Sequence, residues 1–205
     1  MPSPLHDTVL FDLGAVLVDW NPRYLYRRHF DGDEAAMERF LDTVCPGHWV
    51  REMDAGKPIA QAIAERSRDF PEHAPLIRLW GTHWETMLRG PIEDTVEILA
   101  ALKRRGTRLY ALTNWSAENF PIARRRFDFF DWFADIVVSG EVGLAKPDPR
   151  IYRVAIERCR LAPAQTVFVD DNVHNVAAGE RAGLHALHFT TPVQLRADLG
   201  KLGLL

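Results

Sequence analysis

The sequence predicts an α/β fold: a parallel sheet with helices on both faces, giving three layers, and an inserted segment made only of helices. Three observations support this prediction. An apolar run, Thr8–Phe11, is rich in the β-branched and aromatic residues that suit a buried parallel strand. From about residue 89 onward, strand patterns alternate with helix patterns, which indicates βαβ units. Between Pro22 and Leu88 we find helical patterns and no convincing strand.

The order of elements follows from apolar periodicity and from the glycines and prolines between the periodic stretches. The strands are predicted at Thr8–Phe11, Arg108–Leu112, Asp135–Val138, Thr166–Val169 and Ala186–Phe189. The helices between and after them are predicted at Ile92–Arg105, Ala117–Phe130, Pro149–Arg160, Val173–Ala182 and Gln194–Leu202. The helices of the inserted segment are predicted at Arg23–Phe30, Glu34–Val44, Ile59–Phe70 and His73–Leu88. We therefore expect a core of residues 1–19 and 89–205, and a helical insert of residues 20–88.

Composition narrows the class of function. The chain has 205 residues with 25 Lys+Arg against 28 Asp+Glu, and this balance argues against a broad nucleic-acid surface. No apolar run is as long as a membrane span, and Met1–Pro4 does not resemble the start of a signal peptide. The two cysteines, Cys45 and Cys159, lack metal-ligand or redox spacing. We expect a cytoplasmic protein with a small-molecule partner, no nucleic acid and no membrane; a monomer and a homodimer both stay open.

Polar residues follow four of the predicted strands, directly or in the next loop. They are Asp12, Thr113, Asn114, Lys146, Asp170 and Asp171. Because ligands bind at the carboxyl ends of parallel strands, we expect these side chains to share one edge of the sheet. A carboxylate nucleophile, a hydroxyl and amide, a fixed positive charge and a second acidic group together suit phosphoryl transfer to an aspartate.

Such a transfer needs a metal ion, because the nucleophile and the phosphate repel each other. The carboxylates of Asp12 and Asp171 are the hard oxygen ligands that Mg²⁺ prefers. Thr113 and Asn114, with backbone N–H groups, would hold the phosphoryl oxygens. Lys146 would neutralise the charge that Asp12 shares with the phosphate.

Four stretches of the chain resemble, in the same order, the motifs of the haloacid dehalogenase superfamily. They are Phe11–Leu17, Leu112–Asn114, Lys146–Tyr152 and Phe168–Asn175. The helical insert lies where that superfamily carries its C1-type cap, so the resemblance covers the whole chain. Within the superfamily, the chain most resembles small bacterial sugar-phosphate phosphatases, including glucose-1-phosphate phosphatases.

The resemblance implies a Rossmann-like core and a Mg²⁺-dependent phosphomonoesterase for a small phosphorylated metabolite, such as a hexose 1-phosphate. Asp12 would attack phosphorus and form an aspartyl-phosphate that water hydrolyses, while Asp170 would order its loop. The implied site has Asp12 and Lys146 as catalytic residues, Thr113, Asn114 and Lys146 as phosphate-binding residues, and Asp12, the Gly14 carbonyl and Asp171 as magnesium ligands.

Gly14 departs from the family pattern, because the phosphatases usually have an aspartate there as general acid and base. Losing such a group costs roughly two to four orders of magnitude in rate. The substrate can have a better leaving group, as a sugar 1-phosphate does, and the phosphatases that the chain resembles also have glycine here. Alternatively, Asp19, Asp170 or His83 supplies the proton, or the protein is a catalytically weak phosphate-binding or regulatory member.

A metal-independent 2-haloacid dehalogenase is a further alternative from the same superfamily. The pair Asp170–Asp171 counts against it, because uncompensated carboxylates would repel both Asp12 and an anionic substrate. Of the tryptophans, we expect Trp20 and Trp115 to line the substrate pocket and the others to serve mainly in packing.

Overall fold

The computed structural model describes residues 6–205, so the expectation about Met1–Pro4 lies outside the described residues. The strands are β1 (Thr8–Phe11), β2 (Val18–Trp20), β3 (Leu88–Pro91), β4 (Arg108–Thr113), β5 (Asp135–Val138), β6 (Thr166–Asp170) and β7 (His185–His188). Five of them form a parallel sheet in the order β5-β4-β1-β6-β7, with β1 at its centre.

Helices account for most of the remaining chain. In the helical insert they are α1 (Arg23–Tyr26), α2 (Glu34–Thr43), α3 (Gly47–Asp54), α4 (Ile59–Asp69) and α5 (Ala74–Thr82). Those that follow are α6 (Glu93–Arg104), α7 (Phe120–Arg126), α8 (Ser139–Val142), α9 (Pro149–Arg158), α10 (Val173–Arg181) and α11 (Pro192–Lys201). Short 3₁₀ turns lie at Arg27–His29, Pro71–His73, Trp84–Met87, Asp128–Trp132 and Pro163–Gln165.

The sheet has an apolar layer on each face. Leu10 packs in one buried cluster with Ile151 and Tyr152 of α9, whereas its neighbours Val9 and Phe11 pack in a second cluster. That second cluster includes side chains of α6 and α11 and continues into the helical insert. Successive residues of a strand point to opposite faces, so β1 is buried on both sides. The three-layer α/β fold expected from the sequence is confirmed.

Strand register decides which side chains meet at the carboxyl edge of the sheet. Phe11, the last residue of β1, lies opposite Ala111 of β4 on one side and Val169 of β6 on the other. The residues that follow these positions therefore emerge side by side. The register brings the ends of β1, β4 and β6 to a common edge.

A two-stranded antiparallel ribbon joins the helical insert to the sheet, and the sequence did not reveal it. β2 pairs with β3 through Val18 opposite Pro91 and Asp19 opposite Gly90. Strands of three and four residues are too short to show periodicity, and their pairing joins distant parts of the chain. Both boundaries predicted for the helical insert fall inside this ribbon.

Three helix predictions need correction. The prediction missed α3 because Pro46 and Gly47 together resemble a break, yet Pro46 stands at the N-cap position and the helix begins at Gly47. The helix predicted at His73–Leu88 ends at Thr82, where the chain turns to bury Trp84 and Met87. The helix predicted at Ala117–Phe130 is confined to α7. In both of these, tertiary burial of aromatic side chains overrides local helical preference.

The end of α3 is docked closely on the sheet-bearing part of the molecule. A Cβ on Gly56, just after α3, would lie 3.3 Å from the Gly140 carbonyl oxygen and 3.6 Å from the Gly143 Cα. Gly140 is itself tightly held, since a Cβ there would lie 2.9 Å from the Trp115 carbonyl oxygen. Farther along, the Ile59 N–H donates to Glu118 Oε1 at 2.9 Å. Within residues 6–205, no helix has the length and apolar character needed to cross a membrane.

Candidate active site

Asp12 is the first residue after β1 and is held in place by backbone hydrogen bonds. Its N–H donates to the Val169 carbonyl at 2.8 Å, and its Oδ1 accepts the Leu13 N–H at 2.7 Å. The side chain is 11% exposed. Asp12 therefore presents a fixed carboxylate at the edge of the sheet, with limited access to solvent.

Lys146 lies beneath Asp12 and is completely buried. Its Nζ is 3.0 Å from Asp12 Oδ1, 2.6 Å from Asp170 Oδ2, and donates to the Leu112 carbonyl at 2.8 Å. Burial alone would lower the pKa of Lys146, but the carboxylates of Asp12 and Asp170 outweigh it and hold that pKa above its ordinary value. Lys146 is therefore a fixed positive charge.

Asp170 is fully buried, and its oxygens already have partners. Oδ1 accepts from the Asn172 N–H at 2.9 Å and from Asn175 Nδ2 at 3.0 Å, while Oδ2 accepts from Lys146. Its carboxylate therefore orients Lys146 and the loop after β6. These contacts match the loop-ordering role expected of it.

Three acidic groups form a cluster of oxygens suited to a divalent cation. One carboxylate oxygen each of Asp12, Asp170 and Asp171 lie within 4.8 Å of one another. In the turn after Asp12, Ala15 N–H donates to the Val18 carbonyl and Val18 N–H to the Leu13 carbonyl, so these bonds do not use the Gly14 carbonyl. With Asp170 engaged elsewhere, the carboxylates of Asp12 and Asp171 are the hard oxygen groups that could hold a divalent cation such as Mg²⁺, and the Gly14 carbonyl stays a predicted ligand.

Burial and the charges of neighbouring carboxylates raise the pKa values of Asp12 and Asp171. Burial, and then the neighbouring charge of Asp170, raise the pKa of Asp171. Burial also raises the pKa of Asp12; Lys146 opposes the shift, while Asp170 and Asp171 add to it. A divalent cation at this place would favour the ionised forms of the carboxylates that bind it.

Thr113 ends β4 with a hydroxyl that has no protein partner. The residue is 1% exposed, and its Oγ1 makes no hydrogen bond within residues 6–205. Burying a hydroxyl without a partner costs free energy, so a bound acceptor would satisfy it. This unpaired group fits the phosphate-binding role expected of Thr113.

Asn114, just after β4, is hydrogen-bonded to the backbone of Lys146. Its Oδ1 accepts the Lys146 N–H at 2.7 Å, and its Nδ2 donates to the Lys146 carbonyl at 2.9 Å. The carboxamide therefore holds the Lys146 backbone at two points. No sequence pattern predicts this contact, because the two residues lie in separate loops.

Beside these residues is a pocket between the helical insert and the edge of the sheet, with about 520 Å³ of space including its open mouth. It is lined by Gly14, Trp20, Val50, Met53, Asp54, Trp80, Trp84, Asn114, Trp115, Ser116 and Asn119. Trp20 and Trp115 line it as expected, and so do Trp80 and Trp84, which were expected to serve mainly in packing. The buried indole N–H groups of Trp20 and Trp115 have no hydrogen-bond partner among the described residues.

None of the three proton donors considered from the sequence lines this pocket. Asp19 accepts hydrogen bonds from the Tyr24 hydroxyl at 2.9 and 3.0 Å, Asp170 is engaged as described, and His83 is exposed. The carboxyl group that does line the pocket is Asp54, at the end of α3. Sequence reasoning missed Asp54 together with its helix.

Comparison with known proteins identifies the family. The model of the haloacid dehalogenase-like hydrolases matches residues 6–183. The chain belongs to this family. It is thus a hydrolase of the haloacid dehalogenase type, as its four motifs indicate.

Two relatives of this hydrolase are phosphatases. It is 27% identical over 199 residues to the sesquiterpene phosphatase astK of Aspergillus oryzae, covering 94% of each chain. It is also 27% identical over 189 residues to a phosphorylated carbohydrates phosphatase of Thermotoga maritima, covering 89% of this chain and 84% of the relative.

Solved structures show the same fold at lower identity. A haloacid dehalogenase family enzyme of Bacteroides thetaiotaomicron, in complex with magnesium and inorganic phosphate, superposes with a TM-score of 0.65 at 21% identity, covering 90% of this chain and 94% of that one. The L-2-haloacid dehalogenase of Xanthobacter autotrophicus gives a TM-score of 0.65 at 16% identity, covering 96% and 83%. The fold is therefore shared by phosphate-binding and dehalogenating enzymes.

Proposed function

We propose that the protein is a Mg²⁺-dependent phosphomonoesterase that acts on a small phosphorylated metabolite, such as a hexose 1-phosphate. The observation that carries this proposal is the arrangement around Asp12. Its carboxylate lies 3.0 Å from the buried ammonium group of Lys146. A carboxylate oxygen of Asp171 lies within 4.8 Å of one from Asp12. The unpaired hydroxyl of Thr113 lies at the end of the neighbouring strand.

In the proposed reaction, Asp12 attacks phosphorus as the bond to the leaving-group oxygen breaks. Water then cleaves the resulting aspartyl-phosphate and releases inorganic phosphate. The ammonium group of Lys146 offsets the negative charge that gathers on Asp12 and the phosphoryl oxygens. Mg²⁺, held by Asp12, the Gly14 carbonyl and Asp171, would reduce the repulsion between nucleophile and phosphate.

Phosphate recognition falls to the end of β4. The Thr113 hydroxyl is free to donate to a phosphoryl oxygen, and Lys146 supplies the charge. Asn114 uses one N–H of its amide on the Lys146 carbonyl, so the other remains for phosphate. Asn114 thus both positions Lys146 and contributes to phosphate binding.

We further propose that residues 20–88 act as a cap on a core of residues 1–19 and 89–205. The pocket between the two takes residues from both, and a cap that closes there would exclude water from the aspartyl-phosphate. Aromatic faces suit the apolar faces of a sugar ring, and the unpaired N–H groups of Trp20 and Trp115 suit its hydroxyl oxygens. The pocket thereby favours a phosphorylated sugar.

Metal-independent dehalogenation fits this site less well. Without a cation, Asp171 and Asp12 would face an anionic 2-haloacid with only Lys146 to compensate them. Repulsion of this kind raises the free energy of the bound substrate. The presence of Asp171 beside Asp12 therefore supports the phosphatase over the dehalogenase.

The test is phosphate release from a panel of sugar phosphates and from 4-nitrophenyl phosphate, with Mg²⁺ or with EDTA. We expect release with Mg²⁺, loss in EDTA, and loss in Asp12→Asn, whose side chain is nearly isosteric but cannot act as the nucleophile. The matched control is Asp69→Asn, an exposed carboxylate at the end of α4. If no substrate releases phosphate, or if Asp12→Asn retains the wild-type rate, the proposal is wrong.

A further inference from the structure

An alkoxide leaving group needs a proton as its bond to phosphorus breaks, and the groups around Asp12 do not offer one. Lys146 and Asp170 are bonded to each other, and Asp12 and Asp171 provide oxygens for the cation. Gly14 has no side chain, and a Cβ placed there would have no atom within 4 Å. The space above Gly14 is open to the pocket, so a proton donor must reach it from another element.

Asp54 is the carboxyl group among the residues that line this pocket. It is partly buried and makes no hydrogen bond or ion pair with any of residues 6–205. Asp54 lines the same pocket as Gly14, and no hydrogen bond within residues 6–205 accounts for the position of its carboxylate. Polar groups in such positions are typically engaged when a ligand is bound.

The backbone fixes Asp54 at the point where the helical insert meets the sheet. α3 ends at Asp54, and the next turn packs on α8, where a Cβ on Gly56 would lie 3.3 Å from the Gly140 carbonyl oxygen. α8 in turn is hydrogen-bonded to the loop that follows β4, since the Gly140 N–H donates to the Trp115 carbonyl at 3.0 Å. Backbone contacts therefore connect the end of α3, where Asp54 lies, to the loop after β4 that carries Asn114.

We propose that Asp54 is the general acid and base of the reaction, in place of the residue missing at Gly14. In the first step, the Asp54 carboxyl donates its proton to the leaving-group oxygen as that oxygen separates from phosphorus and Asp12 Oδ bonds to phosphorus. The alcohol leaves, and Asp54 becomes a carboxylate. In the second step, Asp54 takes a proton from the attacking water, whose oxygen bonds to phosphorus. The bond between Asp12 Oδ and phosphorus breaks, inorganic phosphate leaves, and both aspartates return to their starting forms. This inference rests on the proposed phosphatase function.

The charge balance around Asp54 suits this exchange. Burial raises the pKa of Asp54 to about 7, although Arg51 on its own helix and Lys146 from the core both act to lower it. A general acid works best when its pKa is close to the working pH. Near neutrality a substantial fraction of Asp54 would therefore keep the proton that the first step needs, and the carboxylate left by that step accepts a proton in the second.

The test compares leaving groups in wild type, Asp54→Asn and the control Asp69→Asn, all with Mg²⁺. The ratio kcat/KM reports the steps up to alcohol release, so hydrolysis of the aspartyl-phosphate does not enter it. For an alkyl substrate such as glycerol 3-phosphate, we expect Asp54→Asn to lower kcat/KM by about 10²–10⁴-fold. For 4-nitrophenyl phosphate, whose leaving group needs no proton, we expect a change below about threefold. Asp69→Asn should match wild type with both substrates.

The pH profile supplies an independent readout. Wild-type kcat/KM for the alkyl substrate should fall above about pH 7, where Asp54 loses its proton, and this decline should be absent in Asp54→Asn. An equal loss with both substrates, or a raised KM with unchanged kcat and pH profile, would mean that Asp54 only binds substrate, and the inference would be wrong. Failure of the phosphatase proposal is recognised separately, because wild type would then release no phosphate from either substrate.

Discussion

Replacing Lys146 with methionine tests how much the buried charge network contributes to stability. Methionine matches the aliphatic part of lysine, so the substitution removes the ammonium group and leaves little cavity. Lys146 and Asp170 have side chains that are 0% exposed and Asp12 is 11% exposed, so two carboxylates with little or no access to bulk water would lose their counter-charge. Removing one partner of a buried ion pair costs about 3–5 kcal/mol. For a chain of this length, that corresponds to a fall in Tm of about 6–20 °C.

Lys57 provides a matched control, because it too has two carboxylate partners. Its Nζ lies 2.7 Å from Glu52 and 2.5 Å from Glu65, but its side chain is 25% exposed and its partners are more so. Exposed pairs contribute about 0.2–1 kcal/mol, so Lys57→Met should cost little. The assay is urea denaturation in EDTA, so that no cation replaces the missing charge. If Lys146→Met costs less than about 1 kcal/mol, or no more than Lys57→Met, the reasoning is refuted.

Four further substitutions are measured by the same urea denaturation. Asn114→Ala removes both hydrogen bonds to the Lys146 backbone, and we expect the unfolding free energy to fall by about 1–3 kcal/mol and phosphate release to slow. Gly140→Ala forces a methyl group against backbone and should cost at least about 1–3 kcal/mol, whereas Gly200→Ala, with no atom near its Cβ, should stabilise α11 by about 0.5–1 kcal/mol. Asp54→Asn should be more stable than wild type above pH 7, because the raised pKa of Asp54 makes its ionisation cost folding free energy.

The sign of the Asp54 effect fixes its pH window. Asp54 has a pKa of about 7 when folded and 3.8 as its ordinary value, so wild type loses stability relative to Asp54→Asn as pH rises between these values. Below about pH 4 the two proteins should be equally stable. A difference that is constant with pH would show that the carboxyl is solvated.

For the other variants, full phosphate release by Asn114→Ala, or equal effects of Gly140→Ala and Gly200→Ala, would contradict the contacts described.

Local patterns were sufficient to predict the sheet and the residues at its edge. The apolar run of β1 and the alternation of strands and helices after residue 89 predict a parallel sheet, and such a sheet collects the residues that follow its strands at one edge. Asp12, Lys146 and Asp170 do lie in contact there. The helices were harder to place where aromatic burial ends them early, as at Thr82.

The sequence by itself determined the fold class, the family and the order of the residues around Asp12, because each depends on patterns within short segments. Only the tertiary structure showed the pairing of β2 with β3, the hydrogen bond from Asn114 to the Lys146 backbone, and the position of Asp54 in the pocket. These features join residues far apart in the chain. Whether a side chain at the end of α3 faces the site depends on how the helical insert docks, and glycine contacts between backbones set that docking. No local pattern records such a contact.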